Sequence, residues 1–284
     1  MSVAEARPLR LAHSPCPNDT AVFYGWTHGR VDGPPVELEL ADVDVTNTRA
    51  AQGAYDVVKV SAAALPWLLD EHRLLPCGGA IGRGVGPLVL TSDPATTPAD
   101  LADAPVGVPG ERTTAGLLLD LWAAEQVPGG VLHDRRVRRY DEVVDELTTG
   151  VLSGGAVIHE ARFTYRRHGL HRLVDLGEWW EASTGLPLPL GAVLVRRDAP
   201  VEPDAVAAVL RASLADYREQ PGRSRVWVLF HAAVPEPAVV DAHIRTYVTD
   251  FTADLGDEGR EAFRVLLDRA AAAGLTPEVR DPFA

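Results

Sequence analysis

"LRLAHSPCPNDTAVFYGWTHGR", residues 9–30, decides the fold. Residues 9–14 read as a strand, and residues 19–30 read as a short helix that Gly29 can end. Between them lies "SPCPNDT" (14–20), where Pro15 and Pro17 bracket Cys16 and the helix-starting residues Asn18, Asp19 and Thr20 follow. A strand that hands over to a helix through a stiff corner is one βα unit. The corner itself reads either as a plain turn or as one wall of a site.

The unit recurs. "VELEL" (36–40) alternates like a half-exposed strand, and "DVTNTRAAQG" (44–53) reads as a helix capped by Asp44 or Thr46 and stopped by Gly53. "YDVVKVS" (55–61) is a strand and "AAALPWLLDEH" (62–72) a helix. "CGGAIGRGVGPLVL" (77–90) is glycine-rich but precedes a strand and lacks a Gly-Lys-Ser/Thr ending, so it is a poor phosphate loop. After the Pro/Asp/Thr-rich 91–105 a second set follows: strands at 106–110, 136–140 and 155–160, with helices at 113–125 and 141–150. "LPLGAVLVRRD" (188–198) reads as a returning strand, and the chain from Val201 onward reads as helix. Repeated βα units predict mostly parallel, helix-covered sheets. The expected fold is α/β: two lobes, with 1–91 and 192–284 forming the larger and 92–191 inserted as the smaller. Two crossing segments suit a ligand cleft between the lobes, as in the periplasmic-binding-protein type II fold.

Composition narrows the partners. The 284 residues carry a net charge of −13 and are 46% hydrophobic, which leaves ample material for a core and argues against nucleic acid or an anionic membrane surface as partner. Two cysteines, Cys16 and Cys77, do not make a disulfide framework. "MSVAEARPLR" has no apolar leader segment and no stretch is long enough to span a bilayer, so a cytoplasmic protein acting on a small molecule is expected. Nothing in the sequence bears on oligomeric state.

Ligands of open α/β sheets bind beyond the carboxyl ends of the strands. The junctions there are Ser14–Thr20, Lys59–Ala62, Gly110–Thr114 and His159–Arg162. His159, at the end of "GAVIHE", is the candidate acid/base, with Glu160 and Arg162 near enough in sequence to orient it. The bland reading is a core histidine bonded to a carbonyl. Thr113 and Thr114 can cap a helix and present its N–H groups to an anion, or simply cap it. Lys59, the only lysine, shares a strand face with Ser61 and can pair with a carboxylate, form a Schiff base, or be an ordinary exposed lysine. Cys16 is a possible nucleophile at a helix start, though small buried apolar cysteines are commoner. Trp179 and Trp180 either wall a flat ligand or pack between lobes. His159, His168 and His171 lack the spacing of a compact metal motif, so no metal is expected.

Five blocks in order, "SPCPNDT", "GGAIGRGVGPLVL", "VPGERTTA", "IHEARFTYRRHGL" and "DLGEWWEASTGLPLPLGA", resemble the 1,4-dihydroxy-6-naphthoate synthases of the futalosine route to menaquinone. "HIRTYVTDF" (243–251) extends the likeness over most of the chain. The resemblance implies the two-lobed binding-protein fold. It also implies a lyase that splits cyclic dehypoxanthinylfutalosine into 1,4-dihydroxy-6-naphthoate and dihydroxyacetone without metal or organic cofactor. It carries the proton-accepting role to His159, substrate binding to Val58, Lys59 and Val60 and to Thr113 and Thr114, and cleft positions to Ser61 and Asn47. Ser14 would face the ligand from the opening corner, and Cys16 becomes a rigid wall. One departure is Val58, where threonine is expected before the lysine, which leaves Val58 only its backbone groups. Two other readings share the fold: a protein that binds a small carboxylate unchanged, and a chorismate dehydratase, which "SPCPND" and "HEARFTY" do not resemble.

Overall fold

The computed structural model describes residues 7–284, so the leader reading rests partly on residues outside that range. Eleven strands form two sheets among the described residues. In chain order the strands are β1 (Leu9–His13), β2 (Val36–Leu40), β3 (Val57–Ser61), β4 (His72–Leu74), β5 (Ala80–Gly82) and β6 (Leu88–Thr91). They continue with β7 (Pro105–Pro109), β8 (Asp134–Arg138), β9 (Gly154–Val157), β10 (His171–Asp175) and β11 (Leu188–Arg196). The first sheet runs β2-β1-β3-β11-β4, with β5 also paired to β11; the second runs β10-β6-β9-β7-β8.

The helices that cover these sheets begin with α1 (Pro17–Val22), α2 (Tyr24–Thr27), α3 (Val43–Ala51), α4 (Thr114–Gln126), α5 (Tyr140–Thr148) and α6 (Ala161–Thr164). They end with α7 (Leu176–Thr184), α8 (Pro203–Glu219), α9 (Arg225–His231), α10 (Pro237–Tyr247), α11 (Asp250–Ala253) and α12 (Gly256–Ala272). None of the described helices is long and apolar enough to cross a membrane.

The sheets are mixed rather than mostly parallel. β1 pairs in parallel with β2 and β3, and β7 with β8 and β9, but β11 and β6 run antiparallel to their neighbours. The reason is where the chain crosses. β3 and β9 end at the cleft, whereas β6 and β11 each enter their sheet from it. β6 belongs to the second sheet, so the first crossing precedes Leu88 rather than falling near 91, and β11 already starts at Leu188.

Local chemistry explains the other differences. The first helix starts at Pro17, with Cys16 in an extended conformation before it, because proline's fixed φ and missing N–H suit the first helical position. It breaks at Phe23 instead of running to residue 30. Asp42, not Asp44 or Thr46, caps α3 by accepting from Asp44 N at 3.2 Å. Residues 62–67 form a 3-10 turn containing Pro66, and the expected helix over 62–72 gives way to β4. Strand alternation sorts the first sheet's core. Val58, Val60, Ala192 and Leu194 pack toward one cluster, and Val57, Val193 and Val195 toward the other.

Candidate active site

The carboxyl ends of β1, β3 and β9 and the start of α4 meet around one cavity. Val60, Val85, Ile158 and Leu190 give it apolar walls. Ser14, Lys59, Ser61, Thr113, Thr114 and His159, all singled out from sequence, line it.

The proline corner delivers Asp19 to the floor. Three donors converge on its carboxylate: Lys59 Nζ, Ser14 Oγ at 2.7 Å and Asn18 Nδ2 at 2.7 Å. The side chains of Lys59 and Asp19 are 6% and 5% exposed, so the ordinary-surface-lysine reading is set aside. Burial by itself would raise the Asp19 pKa. Lys59 and His13, with the hydrogen bonds from Lys59 and Ser14, outweigh it and hold the carboxyl below its usual value. His13, stacked on Phe23 with its Nδ1 2.8 Å from the Ser14 carbonyl, is pushed down to about 4 by burial.

Asn47 does not line the cavity. It stands behind Ser61, accepting from Ser61 N at 2.8 Å and donating to Ser61 Oγ at 3.1 Å. Its Nδ2 also reaches the Arg112 carbonyl at 3.2 Å, which ties α3 to the loop before α4. Val58 lies in the apolar core and does not line the cavity; Val60, on the same face of β3 but one pair nearer the strand's carboxyl end, does.

Thr113 caps α4, accepting from Gly116 N at 3.2 Å. The Thr114 hydroxyl has its proton committed: it donates to the Leu190 carbonyl at 2.7 Å and accepts from Ala63 N at 3.2 Å. What α4 offers a ligand is therefore the N–H groups of its first turn. Gly110 has φ +98°, and a Cβ there would sit 2.4 Å from Asp44 Oδ1, so only glycine lets this loop lie against α3.

His159 lies two residues past the end of β9, in a turn with φ 57°, the one non-glycine residue with positive φ among those described. Histidine tolerates this region better than most residues, yet it remains uncommon, and such backbone often marks a functional position. The ring is half-buried, packs edge-to-face on Tyr140 at 4.8 Å and places Nδ1 2.9 Å from Cys16 Sγ. The bonding partner is thus a thiol across the cleft, not a carbonyl as in the bland reading. Burial, then the charges of Glu160 and Asp19, push the Cys16 thiol well above its ordinary value. It stays protonated and is a poor nucleophile. The expected orienting neighbours are engaged elsewhere. Glu160 accepts from Ala233 N at 3.1 Å, and Arg162 pairs with Asp175 at 2.7 Å and donates to the carbonyls of Gly84 and Gly86.

Trp179 and Trp180 do not wall the cavity. Trp180 is fully buried and donates to the Pro187 carbonyl at 3.1 Å, and Trp179 donates to Glu125 at 3.1 Å, so both pack beside the second sheet. His168 and His171 are exposed. No group of three or more His, Cys, Asp or Glu residues that could hold a metal ion occurs among the described residues. Two lining residues that the junction rule misses, His243 and Tyr247, come from α10. They are brought in by the C-terminal helices, whose sequence shows only helical periodicity.

Known proteins agree with this architecture. The alkanesulfonate-binding protein SsuA from Xanthomonas axonopodis pv. citri, at 15% identity, superposes with a TM-score of 0.71 over 97% of this chain and 96% of that one, which establishes a periplasmic-binding-protein-like fold. A protein from Archaeoglobus fulgidus, AF1704, is 30% identical with a TM-score of 0.86, over 96% of this chain and all of that one. A 1,4-dihydroxy-6-naphthoate synthase from Streptomyces coelicolor is 52% identical over 96% of both chains. Another, from Thermus thermophilus, is 44% identical over 94% of this chain and 95% of its own. The menaquinone biosynthesis family model matches residues 9–272, and the chain belongs to that family.

Proposed function

We propose that this chain catalyses the reaction for which its relatives are named, as a carbon–carbon lyase. It splits cyclic dehypoxanthinylfutalosine into 1,4-dihydroxy-6-naphthoate and dihydroxyacetone, in the cytoplasm and without metal or organic cofactor. The observation that carries the reading is a half-exposed histidine on strained backbone, facing a buried lysine and a helix N-terminus across an apolar cavity. It stands in a chain 52% identical to a 1,4-dihydroxy-6-naphthoate synthase.

In this reading His159 removes a proton from the carbon next to the substrate's ketone. Ring opening and carbon–carbon cleavage follow, drawn forward by aromatisation of the new ring. Lys59 and the first-turn N–H groups of α4 hold the carboxylate or the developing enolate. Ser14, Ser61 and the backbone of Val60 complete the binding wall, while Asn47 fixes Ser61 from behind. Pairing with Asp19 supports an electrostatic role for Lys59 over a Schiff base, and borohydride trapping with substrate should give no adduct. Each sheet with its helices acts as one lobe, and closure around the ligand excludes water.

The test is incubation of purified protein with cyclic dehypoxanthinylfutalosine, with naphthoate followed by mass spectrometry. His159→Ala should keep the fold and lower turnover about 10²–10⁴-fold, the usual contribution of a positioned base. Unchanged turnover would remove His159 from the role. Binding without product by the wild-type protein would replace the lyase with a binding protein.

A further inference from the structure

A base needs its ring held toward the proton it takes, and a hydrogen bond from a neighbouring carboxylate or carbonyl is the common means. His159 has no such bond. The two neighbours expected to orient it are turned away, Glu160 to Ala233 N and Arg162 to Asp175. Cys16 is the ring's only hydrogen-bond partner among the described residues. It stands on the corner between β1 and α1, in the opposite lobe. That contact lasts only while the lobes are together, so it cannot hold the ring in an open cleft.

What the ring's own lobe supplies is an aromatic face. Tyr140 packs against His159 with ring centroids 4.8 Å apart and planes at 84°, inside the range where such pairs attract. Tyr140 is the first residue of α5, and the start of that helix is fixed, with Arg139 N donating to Glu142 at 3.0 Å. One turn on, Val143, Val144 and Leu147 share a buried cluster with Val157, the last residue of β9. The helix that carries Tyr140 and the strand that leads to His159 are thus packed as one unit, and their contact does not depend on lobe closure. Burial pushes the Tyr140 phenol up to about 12, so it stays uncharged beside the base. Tyr140 is not among the residues that line the cavity, so it acts through His159 rather than on the ligand. We infer that Tyr140 is a positioning residue for His159, its ring holding the imidazole in place before Cys16 meets it across the cleft. The inference rests on the reading of His159 as the base.

Two variants and one spectrum test it. Tyr140→Leu removes the aromatic ring, and Tyr140→Phe keeps the ring while removing the hydroxyl. With cyclic dehypoxanthinylfutalosine, Tyr140→Leu should lower kcat up to about tenfold, the effect of one aromatic pair, with KM little changed because no ligand contact is lost. Tyr140→Phe should recover most of that loss. NMR of the ligand-free protein reads the contact without turnover, His159→Ala identifying the signals of the ring. Cross-relaxation between the aromatic protons of residue 140 and the His159 ring should appear in wild type and in Tyr140→Phe, and the His159 ring signals should shift in Tyr140→Leu. Should Tyr140→Leu fold poorly, the cross-relaxation in wild type and Tyr140→Phe decides the matter. Unchanged kcat in Tyr140→Leu, a Tyr140→Phe variant as slow as Tyr140→Leu, a change confined to KM, or no cross-relaxation in the ligand-free protein would each overturn the assignment. Failure of wild-type protein to form naphthoate would overturn only the proposed reaction, and the spectrum would still show whether Tyr140 holds the ring.

Discussion

Lys59→Met tests the buried pair on which the cavity floor is built. The substitution keeps the bulk of the stem and removes the cation, leaving the Asp19 carboxylate with Ser14 Oγ and Asn18 Nδ2. Both side chains of the pair are about 5% exposed, so solvent does little to compensate. Removing one member of such a pair costs about 3–5 kcal/mol at neutral pH. The pH dependence fixes the sign. In the wild type Asp19 titrates below its usual value, so its contribution is present above the unfolded pKa of about 4 and is lost as pH falls through the folded value. Without Lys59, burial dominates and the carboxyl titrates above that value. The variant then carries a penalty at neutral pH that is relieved as pH falls through the raised value. Urea unfolding at pH 7 and pH 5, with fluorescence and circular dichroism transitions coinciding, should show a large deficit that narrows on acidification. A deficit below about 1 kcal/mol, or one that does not change with pH, would refute the ion-pair account.

Thr114→Val keeps the shape of the side chain but leaves Ala63 N and the Leu190 carbonyl without their hydroxyl partner, and should lower stability by about 1–3 kcal/mol in the same unfolding assay. Iodoacetamide at pH 8 should label native Cys16 far more slowly than the denatured chain, since burial raises its thiol; peptide mass spectrometry reads the difference, and equal rates would contradict it. Cys16→Ala should leave the fold intact and lower kcat by up to about tenfold, through loss of one hydrogen bond to the His159 ring.

The sequence showed the site's edges better than its wiring. His159, Lys59, Ser61 and the threonine pair were legible because each stands where a strand ends or a helix begins, and strand–helix grammar is local. Val58 and Asn47 fell behind the site for equally local reasons, distance from the strand's carboxyl end and a helix start that precedes the residues expected to cap it. Asp19 was read only as a helix starter, because its partner Lys59 lies 40 positions away in another strand. Cys16 meets His159 across 143 positions, and His243 meets Asn18 across 225. No periodicity encodes such pairings. They exist only once the chain has crossed between sheets twice and its C-terminal helices have returned to the cleft. The antiparallel placement of β6 and β11 was hidden for the same reason, since direction is set by the edge at which a crossing strand enters.

The two flanks of the cleft are held by different forces. On one flank the 3-10 turn after β3 packs on α4, and Leu65, Leu118 and Trp122 share a buried cluster that spans both sheets. Exposing side chains of that size costs about 1.5–3 kcal/mol each, and Thr114 adds its two buried bonds. The opposite flank is held by polar contacts: Glu160 to Ala233 N, and the exposed pair Arg167–Glu236 at 2.6 Å, of a kind worth about 0–1 kcal/mol. Phe163 packs against His243 and Tyr247 there, with ring centroids 5.9 and 6.4 Å apart. Separation along the second flank is therefore the less costly, and it is the flank that carries Glu160 and His243. Opening there need not disturb the Lys59–Asp19 floor or the Thr114 tie, which hold the polar groups of the cavity in place.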